Sequence, residues 1–217
     1  MSNIEYVPFG FAEEDTSRPL NDSEYRAELI ETFQEVFTAE NSPYDEDWGY
    51  EDVDDFLDWT SEVDYSGLMA VDTVSDELAG FTWGYRVEPS NELIDPQEKF
   101  PSGIEDVEPG MYDGKTFMLD EIGVDPDYRR KGIGTELESR LLQELDQQQR
   151  IDRVMQRTQW SGQNTGKLSL DGRMGFNALL QGEENNPVTQ EVEFVGNEGS
   201  DERIYLFQEL EGEKPWK

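Results

Sequence analysis

Apolar residues at the start of the chain alternate with polar ones, so residues 4–11 read as an opening strand, followed by a polar turn through Pro19. The period then lengthens: Tyr25, Leu29, Ile30, Phe33, Val36 and Phe37 recur at helical spacing. Ahead of them Asn21 offers an N-cap, with Glu24 three residues on. Past a loop containing Pro43, the spacing of Val53, Phe56, Leu57 and Thr60 predicts a shorter helix packed beside the first. Residues 68–72 and 78–86 then predict a hairpin turning at Ser75-Asp76-Glu77. Its second strand alternates Phe81, Trp83 and Tyr85 on one face.

From 87 to 114 the pattern breaks, with Pro89, Pro96, Pro101 and Pro109 among polar residues; a connection of that length is either a binding loop or a loose surface insertion. Periodicity returns with a strand at 116–124. Ile133, Leu137, Leu141, Leu142 and Leu145 mark one face of a long helix beginning near Gly132. A strand at 153–158, a short helix at 164–174, and strands at 176–180 and 203–210 complete the series. The acidic span 181–202 holds a brief strand at 192–195.

Composition narrows the chemistry. With 217 residues, 35% of them hydrophobic and 12% aromatic, the chain can bury one substantial core, and the expectation is a single domain spanning 1–217. Seventeen Lys and Arg face 51 Asp and Glu, a formal net charge of -34. The carboxylates are spread over every segment, which favours adaptation to a cytoplasm near molar salt, where the Debye length is ~3 Å, over a polyanionic binding function. Cysteine and histidine are both absent. A Ser-His-Asp triad, a thiolate nucleophile and His- or Cys-based metal sites are therefore excluded, and no metal is expected. The opening MSNIEYVPFG has neither a basic nor an apolar leader pattern, and no stretch approaches ~18 apolar residues, so a soluble, cytoplasmic protein without a membrane partner is expected.

Against this acidity stands VDPDYRRKGIGTEL at 124–137, where Arg129, Arg130 and Lys131 meet Gly132 and Gly134 between a strand and a helix. The first turn of a helix carries unpaired backbone N–H groups and partial positive charge, and glycines let a ligand approach the backbone. Such a cationic nest is what a phosphate-bearing ligand would require in a strongly negative field. Neither G-x-x-x-x-G-K-[ST] nor a G-x-G at the first strand of a repeating strand-helix series is present, so a different phosphate-bearing cofactor is implied.

LDEIGVDPDYRRKGIGTELESRLL, within 116–148, resembles the acetyl-CoA motif of the GNAT superfamily of N-acetyltransferases, a strand followed by V-x-P-x-[YF]-[RQ]-x-x-G-x-[GA]-x-x-[LM]. NTGKLSLDGRMGFNAL is similar to that superfamily's second signature, here 164–176, in which an Asn opens a short helix ending in G-F. The resemblance implies an α/β (α+β) GNAT-like fold in one domain, with a mixed, twisted sheet of about six to seven strands flanked by about four helices. It implies acetyl-CoA as co-substrate. Ile122, Gly123 and Val124 would meet the pantetheine arm, and Arg129, Arg130, Lys131, Gly132, Ile133, Gly134 and Thr135 would wrap the pyrophosphate. Asn164 would sit beside the pantetheine, and Lys167 would reach the nucleotide phosphates.

An amine of pKa near ~10.4 must lose a proton before it attacks a thioester, and Glu121 stands where similar enzymes carry a carboxylate base. Asp120 would project to the opposite strand face. Many family members protonate the departing thiolate with a tyrosine four residues before the Gly of G-F; here that position is Asp171, which could instead bind a cationic acceptor. Trp83 and Tyr85 would either line that acceptor's pocket or belong to the core. The expected activity is acetyl transfer to a primary amine of a small molecule or peptide, with an acyl-CoA binding module or an acidic interaction protein as rivals. Direct nucleic-acid binding is not expected, because the basic patch is small and the surrounding field repulsive, while a homodimer is compatible with the sequence.

The charge reading carries its own test. Raising KCl from about 0.1 M to about 2 M should raise the thermal unfolding midpoint by several degrees, because screening relieves like-charge repulsion in the folded state. A midpoint that stays flat or falls would remove salt adaptation as the reason for the acidity.

Overall fold

A computed structural model of the chain describes residues 3–9, 23–38, 48–60, 65–87, 113–148, 150–159, 165–178, 180–181, 193–194 and 203–210. These fall into two compact units, one of Met1–Tyr85 with Leu119–Glu144, the other of Arg86–Met118 with Leu145–Lys217. Among the described residues are four α-helices, α1 (Ser23–Thr38), α2 (Tyr50–Thr60), α3 (Ile133–Gln148) and α4 (Thr165–Met174). The helix–strand succession is the α/β architecture expected. None of these helices is long and apolar enough to cross a membrane.

In the first unit, β1 (Ile4–Phe9), β2 (Tyr65–Asp72) and β3 (Glu77–Val87) pair antiparallel in that order, followed by β4 (Thr116–Val124). The expected hairpin is present, but β2 begins three residues earlier than the hydrophobic alternation suggested, because Tyr65 pairs with Tyr85 across the strands. A bulge between Ala70 and Val71 shifts the register.

Helices α1 and α2 bury the apolar positions that the periodicity picked out: Leu29, Ile30, Phe33, Val53 and Leu57 are at most 1% exposed. Phe33 is the centre of this core. Its ring stacks on Phe81 and Trp83, with centroids 5.8 and 5.7 Å apart. The two helices are also tied by one cation, since Arg26 donates to the Asp54 carboxylate, the Asp54 carbonyl and the Asp58 carboxylate. Three hydrogen bonds to one planar guanidinium fix its geometry better than a single exposed pair could.

In the second unit the strand order runs from the first residues of β4 to β5 (Arg153–Gln159), β9 (Arg203–Glu209) and β6 (Asn177–Ala178). β5 and β9 pair antiparallel with Val154 opposite Gln208 and Gln156 opposite Leu206. The strand expected at 176–180 is two short pieces instead. β6 joins β9, whereas β7 (Leu180–Gln181) leaves to pair with β8 (Glu193–Phe194), the brief strand anticipated inside the acidic span. The 88–112 connection, the Asn21 cap and most of 182–202 lie outside the described residues.

Truncating Phe33 to alanine should cost about 3–5 kcal/mol in denaturant unfolding measured at high salt, the range for a large buried aromatic. A loss below about 1 kcal/mol would mean that the Phe33 stack is not the core of its unit.

Candidate active site

Strand β4 ends at Val124, and the residues after it turn tightly. Asp125 caps the turn, its carboxylate accepting from the Asp127 N–H at 2.7 Å, and Pro126–Tyr128 form one 3₁₀ turn. Arg129 is extended, after which Arg130 (φ 64°) and Gly132 (φ 86°) are both left-handed before α3 begins at Ile133. Left-handed backbone at 130 is strained for arginine and ordinary for glycine. Alternating hands of this sort form the concave arrays of N–H groups known as nests, and the first N–H groups of α3 add to the array. The helix is then secured by Ile133, Leu137, Leu141, Leu142 and Leu145, all buried.

The three cations of the motif do different things. Arg129 Nε donates to the Val124 carbonyl at 3.1 Å, so this guanidinium closes the turn. Arg130 and Lys131 are exposed, and Lys131 Nζ lies 4.5 Å above the Tyr128 ring. The Tyr128 hydroxyl hydrogen-bonds Glu77 at 3.0 Å and lies 3.1 Å from the Ser75 hydroxyl, which fastens the turn to the β2–β3 connection. Around it the field is negative: partial burial and the neighbouring Asp125, Glu31 and Asp127 push the Glu35 carboxyl up. Any anion at the nest depends on Arg130, Lys131 and the N–H groups to offset that field.

Further back on β4, Gly123 faces Phe81 so closely that a Cβ at 123 would lie 2.4 Å from the ring. A Cβ on Gly80 of β3 would in turn lie 2.7 Å from the Gly123 carbonyl. The next residues carry the candidate chemistry. Asp120 and Glu121 are both half-buried, and Thr82 Oγ1 donates to the Glu121 carbonyl at 3.1 Å. Tyr65, 2% exposed, has its phenol pushed well up by burial, then by Asp120 and Glu121, so it stays protonated at neutral pH. Asp120 and Glu121 both reach Tyr65 electrostatically. Trp83 and Tyr85, weighed as acceptor contacts, are buried in the core, with Trp83 in contact with Phe9, Phe33, Phe56 and Phe81.

In the second unit, α4 ends on a Schellman turn: Gly175 is left-handed (φ 90°), Phe176 N–H donates to the Asp171 carbonyl at 3.0 Å, and the Phe176 ring is buried. That accounts for the G-F of the second signature. Lys167, expected at nucleotide phosphates, points inward instead: Nζ donates to Gln156 Oε1 at 2.7 Å and to Asp171 Oδ1. Asp171, expected to receive a cationic acceptor, is 1% exposed and receives Lys167. Burial pushes its carboxyl up, while Lys167 and Gln156 hold it down. Asn164 lies outside the described residues.

The model of the Acetyltransferase (GNAT) family matches residues 33–176, about two thirds of the chain. The chain belongs to the GNAT acetyltransferase family. No curated protein sequence matches it. Solved structures reproduce the fold at low identity. The ribosomal-protein-S18-alanine N-acetyltransferase from Escherichia coli superposes with a TM-score of 0.56 at 14% identity, covering 98% of this chain and 96% of its own. The paia N-acetyltransferase from Thermoplasma acidophilum, in complex with coenzyme A, gives 0.54 at 15%, covering 95% and 99%. The Salmonella typhimurium protein yncA, solved with its cofactor acetyl-CoA, gives 0.57 at 12%, covering 98% and 96%.

As a GNAT acetyltransferase the chain carries out acetyl transfer. Tyr65 was missed in the sequence because the alternation from Leu68 hid the earlier strand start; its pairing with Tyr85 is the signal that would have found it. The Lys167–Gln156 contact joins residues eleven apart in different elements, which no spacing rule links. Among the described residues no group of three or more His, Cys, Asp or Glu could hold a metal.

Two glycine substitutions separate close packing from backbone freedom. Gly123→Ala should lose about 1–3 kcal/mol, since the Phe81 ring must move. Gly172→Ala, in α4 with open space around its Cβ, should gain about 0.5–1 kcal/mol. Equal effects at both sites would contradict the tight β3–β4 contact.

Proposed function

We propose that the chain transfers the acetyl group of acetyl-CoA to a primary amine of a small molecule or peptide by direct attack on the thioester. The observation that carries this is the turn at 129–135, where left-handed Arg130 and Gly132 lead into the first turn of α3. In this reading Arg130, Lys131 and the N–H groups of Gly132, Ile133, Gly134 and Thr135 take the pyrophosphate. Arg129 holds the turn in shape through Val124. The ends of Ile122, Gly123 and Val124 offer backbone groups to the pantetheine arm.

Glu121 takes the proton of the attacking amine, directly or through a water. Its half-buried neighbour Asp120 adds a second carboxylate that suits an ammonium arriving before deprotonation, with the neutral phenol of Tyr65 buried behind them. The chain has no cysteine to carry the acetyl group covalently, so the amine attacks the thioester itself.

The test is calorimetric binding of acetyl-CoA together with amine-dependent release of free thiol, both in about 2 M KCl. Gly134→Glu should weaken acetyl-CoA binding at least about 100-fold by placing a carboxylate in the nest. Glu121→Gln should bind acetyl-CoA as wild type does, yet lose about 10²–10⁴ in kcat at neutral pH. Saturable acetyl-CoA binding with no thiol release for any amine would leave an acyl-CoA binding module instead.

A further inference from the structure

Helix α4, within the second unit, has little to hold it in place by itself. Its ten residues are too few to stay helical without packing, and two of them, Gly166 and Gly172, favour the unfolded chain. What lies beneath it decides whether it stays.

That seat is polar. On β9 Gln208 stands opposite Val154 of β5, and Gln156 is two residues along β5 from Val154, so both glutamines project to the same side of the sheet. Gln156 and Asp171 are each 1% exposed and Gln208 is 4% exposed. Lys167 Nζ donates to Gln156 Oε1 at 2.7 Å and to Asp171 Oδ1, which ties the first turn of α4 to the sheet. At the other end, Gln208 Nε2 donates to the Met174 carbonyl at 2.6 Å. Gln156 Nε2, Asp171 Oδ2 and Gln208 Oε1 are buried as well, and they make no hydrogen bond among the described residues.

Such a seat favours release. A buried ion pair recovers its desolvation cost poorly, and a buried polar atom without a partner forgoes the hydrogen bond that water would give it. Lifting α4 returns the charge pair and the three open atoms to water, which offsets part of the loss when the buried Leu170 and Met174 are uncovered. The strands beneath gain nothing comparable. β5 and β9 pair from Arg153 opposite Glu209 to Gln159 opposite Arg203, with Val154, Met155 and Leu206 buried. Local opening is expected where buried apolar contact is small and polar groups regain solvent.

We infer that α4 lifts from the β5–β9 face as a unit and reseats, with two catches: Lys167 on Gln156 and Asp171 at one end, Gln208 on the Met174 carbonyl at the other. The device goes beyond the acetyl-CoA reading and does not depend on it. Seated, α4 holds the Lys167 ammonium inward; lifted, it releases that ammonium to solvent.

The test is amide hydrogen exchange of the full chain in about 2 M KCl, read residue by residue at several low denaturant concentrations. Corrected for intrinsic rates, the amides of 169–174 should exchange at least about 100-fold faster than the paired amides of β5 and β9, and with little dependence on denaturant. Lys167 reports the same motion. An amine-reactive ester should acylate it far more slowly than the exposed Lys115 and Lys131, at a rate set by α4 opening. Exchanging the pair for apolar side chains of similar size, Lys167→Met with Asp171→Leu, should slow exchange at 169–174 about tenfold or more. Lys167→Met alone, which leaves Asp171 buried without its cation, should speed it about tenfold or more.

Exchange at 169–174 as slow as in β5 and β9, with the same denaturant dependence, would make α4 part of the sheet's cooperative unit and overturn the inference. So would a double variant whose α4 amides exchange as fast as in wild type or faster, since the polar seat would then not be what lets the helix go. Neither readout involves acetyl transfer, so either failure is distinct from failure of the acetyl-CoA reading.

Discussion

The nest at 129–135 depends on how closely β3 and β4 approach each other at two glycines. Gly80 and Gly123 leave no room for a Cβ, one against the Gly123 carbonyl and the other against the Phe81 ring. Phe81 cannot yield easily, since it stacks on Trp83 and Phe33 in the middle of its unit. The core therefore fixes where β4 ends, and the end of β4 fixes where the turn and α3 begin. Asp125 and Arg129 then shape the turn through two hydrogen bonds, to the Asp127 N–H and to the Val124 carbonyl. Packing inside the unit is translated into the placement of a handful of backbone N–H groups.

Electrostatics sets a second constraint. With a net charge of -34, the chain as a whole repels the phosphates of a nucleotide cofactor, and Glu35, Asp125 and Asp127 carry that repulsion up to the motif itself. Arg129, spent on the Val124 carbonyl, contributes shape more than field. What remains is local: two exposed cations, left-handed backbone and a helix N-terminus, which act at short range and lose less to screening than the diffuse charge does. An acidic surface and the anion-binding role proposed for the turn are compatible because they work over different distances.

The sequence showed the regular elements most clearly where long amphipathic patterns met capping chemistry. Helix α3 begins within a residue of the expected start and strand β4 has its expected bounds, since Ile133 through Leu145 repeat at 3.6 and Gly132 is left-handed just before them. The motif turn was legible for the same reason: its residues are contiguous and each has a local backbone role. Strand edges were harder. The Tyr65 end of β2 depends on pairing with Tyr85, and the break between β6 and β7 depends on a choice between partners β9 and β8, neither of which local sequence records. The Lys167–Asp171 pair was half legible, being four apart on one helix face. Gln156, the neighbour that gives it meaning, comes from a different strand. Trp83 and Tyr85 show the converse ambiguity, as an aromatic stripe reads the same whether it faces a ligand or a core, and here it is core.

Amide hydrogen exchange across residues 125–140, with and without saturating coenzyme A at high salt, tests the nest most directly. Slowed exchange centred on 130–135, with little change along the later turns of α3, is the expected result. Coenzyme A that binds tightly while these amides exchange as before would mean that the phosphates are held elsewhere, and that the turn shaped by Gly80, Gly123 and Phe81 is scaffold alone.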